Sequence, residues 1–176
     1  ASPVPIWPDP QSATPDGRVL VFTTAGKDTG EDIWTLSLDA ERAARPWLAT
    51  AADEWAGRLS PDGRLIAYTS IESGHLEVYV RTFPGPGKRQ VSTDGGNSPV
   101  WARSGKELFY LTPDLTLSAV PTALGPGGLE PGTARALFQS RGLHLLSSPG
   151  SSPYAAAADG QRFLTMDTVG EAEASP

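Results

Sequence analysis

The chain has 176 residues, with 14 Lys and Arg against 20 Asp and Glu and a formal net charge of −6. That balance leaves no basic stripe for a phosphate backbone and sets nucleic acid aside as a partner. With no Cys, the sequence excludes disulfides, thiol catalysis and zinc-thiolate sites, and 19 Gly with 17 Pro favour tight turns over long helices.

No apolar run approaches membrane-spanning length, so no membrane contact is expected from this segment itself. The chain starts Ala1-Ser2-Pro3. The expectation is a segment or mature piece whose targeting signal lies outside it.

Taken in order, residues 1–13 are rich in Pro, and Val4, Ile6 and Trp7 suit an edge strand or the closing of a neighbouring blade, not a central strand. Four beats follow. Gln11 to Thr14 reads as an inner strand and Val19 to Thr23 as a second strand. Asp32 to Leu38 alternates polar and apolar, as a half-buried third strand does, and Arg45 to Leu48 is a short outer strand. Residues 41–44 belong to the connecting loop, with one helical turn as the other reading. The beats then repeat. Gly57–Leu59, Leu65–Thr69, Glu77–Phe83 and Lys88–Ser92 form the second set; Pro99–Trp101, Glu107–Leu111, Leu115–Val120 and Ala136–Phe138 form the third. Gly125 to Gly132 reads as a Gly/Pro-rich surface loop. Tyr154–Ala157 and Arg162–Asp167 supply two strands of a fourth set.

One phrase organises these beats. Ser60-Pro61-Asp62-Gly63-Arg64 is a tight turn feeding the apolar run Leu65 to Tyr68. Pro61 presets the first corner, Asp62 bonds its own backbone and Gly63 takes the position where the chain turns back. The phrase recurs at Thr14–Arg18, Arg103–Lys106 and Ala158–Gln161. Its glycines (Gly17, Gly63, Gly105, Gly160) are spaced by 46, 42 and 55 residues. A period in the forties that carries several strands is the mark of a propeller blade. The reading is therefore an all-β chain, a β-propeller of four-stranded antiparallel blades. One propeller segment covers 1–170, with blades at about 10–49, 53–93 and 97–139 and a partial one at 152–169, before an acidic tail at 171–176. An open arc leaves strand edges unpaired, so a parent ring of roughly six to eight blades is expected.

These phrases resemble a known family. Ser60 to Tyr68, Glu77 to Gly87, Val91-Ser92-Thr93-Asp94-Gly95-Gly96 and Pro99 to Tyr110 look like TolB-type, WD40-like propeller repeats. The combination is most similar to the C-terminal propeller of bacterial eukaryotic-like serine/threonine kinases. The resemblance covers about residues 10–168 and implies an extracytoplasmic module, in the periplasm or at the cell surface, that recognises a protein or small ligand. The family's kinase domain precedes the propeller. None of its motifs stands here, so kinase activity is carried onto no residue. The sequence departs from the family pattern at Ala13, where an aromatic is usual, at Ser104, where the turn has Asp, and at Trp55, where a small residue is usual. The family's further apolar strand after the equivalent of Asp167 is missing.

Catalytic constellations are lacking. His75 and His144 have no second ligand at metal spacing, no Gly-x-Ser-x-Gly elbow occurs, and no metal or cofactor is expected. Asp53-Glu54 and Glu31-Asp32 are adjacent in sequence, with nothing to set them across a glycosidic bond. The turn residues Asp16, Asp62 and Asp159 cap their own backbone, a stronger reading than calcium ligation. Trp34, Tyr79, Trp101, Phe109 and Phe163 suit packing between blades.

What remains is a surface. The loops Ala25–Glu31, Thr50–Ala56, Ile71–His75, Thr93–Ser98 and Gly142–Ser152 gather on one face, where binding residues concentrate. Asp53, Glu54 and Trp55 stand out as an acidic pair beside a large aromatic, with Trp55 either a contact residue or a channel plug. His75, Asp94 and Asn97 are further candidates, and Lys27 and Asp28 weaker ones. The reading is a non-catalytic recognition scaffold. The enzyme alternative is the gating propeller of a prolyl-oligopeptidase-type serine peptidase, with the hydrolase elsewhere in the parent. A structural spacer is the third possibility.

Overall fold

The structure is a computed structural model, and it describes residues 8–39, 42–125, 128–139 and 152–165. The expected strand at Val4–Trp7, the loop 142–151 with His144, and the tail 171–176 lie outside the described residues. All fifteen elements among the described residues are strands. The first blade is β1 (Asp9–Ala13), β2 (Val19–Ala25), β3 (Glu31–Ser37) and β4 (Ala44–Leu48). The second is β5 (Glu54–Leu59), β6 (Leu65–Ser70), β7 (Glu77–Thr82) and β8 (Lys88–Gln90). β9 (Asn97–Trp101), β10 (Glu107–Leu111), β11 (Thr116–Gly125), β12 (Gly128–Pro131) and β13 (Arg135–Gln139) make the third, and β14 (Tyr154–Ala156) pairs with β15 (Phe163–Thr165). Pairing is antiparallel throughout, in the orders β1-β2-β3-β4, β5-β6-β7-β8 and β9-β10-β11-β13. The architecture is a β-propeller.

The repeated turn has one geometry at all four places. In the second blade the Gly63 N–H donates to Ser60 O at 2.8 Å and Ser60 N–H donates to Leu65 O at 2.8 Å. Asp62 Oδ1 accepts from Ser60 Oγ at 2.6 Å and from Arg64 N–H at 3.1 Å. Thr14, Asp16 and Gly17 repeat these bonds in the first blade. Gly17, Gly63, Gly105 and Gly160 have φ of 69°, 72°, 69° and 68°, in the left-handed region that other residues enter at a cost. Consecutive turns also touch. A Cβ on Gly63 would lie 2.8 Å from Pro15 Cδ, whereas one on Gly17 meets nothing within 4 Å.

Between the turns, period-two alternation sends each strand's side chains into two different cores. From β6, Ile66 and Tyr68 pack with Val21, Ile33 and Tyr79 in the core shared with the first blade. Leu65 and Ala67 pack with Trp101, Leu108 and Val120 in the core shared with the third. Phe109, Leu111, Leu117 and Tyr154 form the core towards β14–β15. All six residues of β6 are buried, the pattern of a strand covered on both faces. Each fully buried Ile or Val contributes roughly 1.5–3 kcal/mol. The inner strands are tied by polar bonds. Gln11 Oε1 accepts from Gly57 N–H, Trp101 Nε1–H donates to Arg58 O at 2.9 Å, and Tyr154 O–H donates to Ser98 O at 2.8 Å.

Three expectations are corrected. The stretch read as a surface loop from Gly125 to Gly132 carries strand at its described residues 125 and 128–131. β11 runs on to Gly125, held by Thr122 N–H to Lys106 O at 2.8 Å, and β12 returns along it. Leu129 on β12 is 3% exposed, and that burial holds the hairpin on the core. The inner strand β5 begins at Glu54, not Gly57, because a bulge lets it continue through Ala56 at φ 57°. β9 begins at Asn97 for the same reason, with Ser98 at φ 54°.

Gly17→Ala is expected to cost about 1 kcal/mol, the left-handed strain alone, and Gly63→Ala roughly 1 kcal/mol more because its Cβ meets Pro15. Urea midpoints of the two variants check this, and equal losses would mean the turn-to-turn contact contributes nothing.

Candidate functional site

The loops that follow β2, β4, β6 and β8 share one face, and neighbours among them are bonded to one another; the loop after β10 meets them through Pro113 beside Gly95. Asp53 is the hinge of the first group: its Oδ1 accepts from Glu31 N–H at 3.0 Å and its carbonyl from Ile71 N–H at 3.3 Å. Gly96 N–H donates to Leu76 O at 2.9 Å in the next group. The gathering read from the sequence is present for the described loops.

Carboxylates dominate this face. Glu54, on β5, is 1% exposed and turned inward. It accepts from Thr50 N–H at 3.4 Å and from Thr50 Oγ1, closing the loop before its own strand. Asp32, at the start of β3, is 2% exposed, and its Oδ2 accepts from Thr29 Oγ1 at 2.7 Å. Its Oδ1 and the Trp34 Nε1–H two residues on make no well-formed hydrogen bond, although the approach of Trp34, like the bond from Thr29, favours the charged carboxylate. Burial pushes the carboxyls of Glu31, Asp32 and Glu54 up from their usual values. The charge of Asp53 adds to this at Glu31 and Asp32, and hydrogen bonds from Thr50 oppose it at Glu54.

The second group centres on Glu77, fully buried at the start of β7. It accepts from Ser92 Oγ, from Gly95 N–H at 3.1 Å, and from the largely exposed His75, whose Nε2 lies 2.8 Å away. His75, a further candidate in the sequence, is exposed and also tethers its loop to the interior. Asn97 is 8% exposed and held on β9: its Oδ1 accepts from Thr69 Oγ1 at 3.1 Å and Ser98 N–H at 2.7 Å. Of the sequence candidates, Asp53, Glu54 and Trp55 stand together beside Glu31 and Asp32, while His75, Asp94 and Asn97 belong to the neighbouring group. Asp94 and Asp28 are exposed and Trp55 is half-buried on β5 opposite Thr69. The residue that sequence reasoning missed is Glu77, whose signal was its place directly before buried Val78, matching Asp32 before Ile33.

Chemically, this face is acidic, and its buried Glu54 and Glu77 are spent on loop closure. Among the described residues no group of three His, Asp or Glu could hold a metal ion. The turn aspartates on the other face are likewise engaged: Thr14 and Arg18 N–H hold the Asp16 carboxyl below its usual range, and Gln161 N–H does so for Asp159.

No family model matches the chain. Over 89 residues it is 33% identical to Tol-Pal system protein TolB of Anaeromyxobacter dehalogenans, a stretch that is 49% of this chain and 20% of that protein. Over 103 residues it is 32% identical to Tricorn protease homolog 1 of Streptomyces coelicolor, covering 56% of this chain and 9% of that protein. The chain thus spans about a fifth of the TolB relative's length. Its fold is similar to that of TolB from Acinetobacter baumannii, with a TM-score of 0.55 over 92% of this chain and 43% of that one at 16% identity. The chain is a TolB-like β-propeller in its fold.

Asp32 titrates higher in the folded than in the unfolded chain, so its contribution to stability falls as pH rises from the unfolded carboxylate pKa through the folded one. Asp32→Asn keeps the Thr29 bond and removes the buried charge. The variant is expected to be more stable than the parent by about 1 kcal/mol at neutral pH, with the gain fading below about pH 4. Thermal melts across pH read this, and a gain that is independent of pH would contradict a buried ionised Asp32.

Proposed function

We propose that the chain is a non-catalytic scaffold whose acidic loop face recognises a protein or a small ligand, in an extracytoplasmic module of a bacterium. The carrying observation is the division of labour on that face. The buried acids Glu54 and Glu77 are committed to loop closure, while Asp28 and Asp94 are exposed on the loops of the same face and Trp55 is half-buried on β5. The arrangement suits electrostatic steering onto an aromatic contact rather than bond making. The likeness to a Tol-Pal system protein supports the interaction reading. The phrases shared with receptor-type serine/threonine kinase propellers support a place as the sensor region of such a receptor.

The likeness to a Tricorn protease homolog favours one second reading, a propeller that gates a peptidase in a longer parent. The two part on the behaviour of the loop face. In the recognition reading, a partner captured from bacterial extracytoplasmic extract associates faster at low salt. Asp28→Lys with Asp94→Lys then slows association about tenfold without changing the melting temperature. A partner whose binding ignores both salt and charge reversal, or peptide hydrolysis by the chain itself, would overturn the proposal.

A further inference from the structure

A groove of about 410 Å³ lies on the face opposite the acidic loops, between the second and third blades. The β11–β12 hairpin builds one wall, fixed by Thr122 Oγ1–H to Gly105 O at 2.8 Å. Leu65 and Leu129 form an apolar floor, 4% and 3% exposed, and Leu124 projects from the hairpin with 51% of its surface open. Asp62 stands on one rim, Ser104 and Lys106 on the other.

The charge of this groove follows from a break in the repeat. At the first, second and fourth turns the basic residue has the turn's own carboxylate beside it: Asp16 near Arg18, Asp62 Oδ2 4.0 Å from Arg64 Nε, and Asp159 Oδ2 3.5 Å from Arg162 Nη2. At the third turn Ser104 replaces the Asp. Its Oγ accepts only the weaker bond from Lys106 N–H at 3.3 Å. Lys106 has no ion pair among the described residues, since the adjacent Glu107 is paired with Arg135 at 3.0 Å. The groove therefore joins an uncompensated ammonium and a free hydroxyl to an apolar floor, with an acceptor opposite. It falls within the size range of small-ligand sites, which combine an apolar lining with a few placed polar groups.

We propose that this groove binds the C-terminal end of a peptide whose last residue is apolar. The terminal carboxylate sits at Lys106 Nζ and Ser104 Oγ–H, the last side chain lies on Leu65, Leu129 and Leu124, and backbone N–H groups face Asp62. A carboxylate on an apolar body is also what a short fatty acid presents. Asp62 favours the peptide, because an ionised acceptor beside the groove rewards N–H donors and penalises bare hydrocarbon.

The test is titration of the full chain with acetyl-Ala-Leu, its C-terminal amide and octanoate, read by amide chemical shifts and calorimetry. The free acid is expected to bind near the millimolar range and shift Gly105, Thr122 and Leu124, with the amide about tenfold weaker. Lys106→Gln and Ser104→Asp are expected to weaken the acid by about tenfold as well, while Arg18→Gln on the same face changes it by less than about twofold. Ser104→Asp restores the turn carboxylate, so its melting temperature holds or rises and separates lost binding from lost folding. Equal binding of acid and amide, insensitivity to Lys106→Gln, tighter binding of octanoate, or no shift at these amides up to about 10 mM would each overturn the proposal.

Discussion

The structure depends on a turn in which a side-chain oxygen does the work of a backbone partner. Ser60 or Thr14 bridges the start of the second strand and the carboxylate two residues on. A left-handed glycine then reverses the chain. This fixes which residue of the inner strand faces which residue of the second strand, and in a sheet a slip of one residue would exchange the two faces. Because the second strands are apolar on both faces, such a slip would not expose them. It would send Leu65 and Ala67 into the core meant for Ile66 and Tyr68, where volumes do not match. The turn is thus the register device for two cores at once.

Those cores lie between blades, so each blade is completed by its neighbours. The inner strands sit where blades converge and have little room for apolar bulk. They are joined instead by directed bonds from Gln11, Trp101 and Tyr154. Bulges at Ala56 and Ser98 turn the starts of these strands so that loop residues can reach buried acids. The first two blades meet this need differently. In the second, Ser92 caps Glu77 of the same blade. In the first, Thr50, at the matching place, caps Glu54 of the next blade, and Asp32 keeps an oxygen without a well-formed hydrogen bond. Asp is one methylene shorter than Glu, and that difference in reach accounts for the altered bonding.

The sequence made the framework legible because the turn phrase and the period-two runs report backbone geometry directly. Leu108 to Leu111 and Leu65 to Tyr68 needed no tertiary context to be placed. The β11–β12 hairpin did. Gly125, Gly128 and Gly132 look like a loop, and only the burial of Leu129 against the second blade makes strands of the flanking residues. The start of β5 was hidden for a related reason. Ala56 and Ser98 at positive φ are positions that no propensity marks, held there by the surrounding sheet. At the site, adjacency drew attention to Asp53 and Glu54, but alternation along a strand gives neighbours opposite fates. Asp53 stays with the loops and Glu54 enters the core.

The two faces of the arc end with opposite electrostatic character from the same repeat. Three of the four turns place an acid and a base together, so most of the turn face is neutral pair by pair. The opposite face collects Asp28, Glu31, Asp53, Glu72 and Asp94 against Lys27 and Lys88, and Lys88 is already paired with Glu72 at 2.7 Å. Like charges spaced along loops repel weakly at physiological salt, so the loop face tolerates its excess. A buried carboxylate has no such screening and must be bonded, which is why the acids that turned inward became the loop closures. The same reasoning applies in reverse at the third turn, where one Ser in place of an Asp leaves a cation beside an apolar groove. In a repeat fold, a single departure from the repeated phrase is enough to make one place on a uniform face chemically different from the rest.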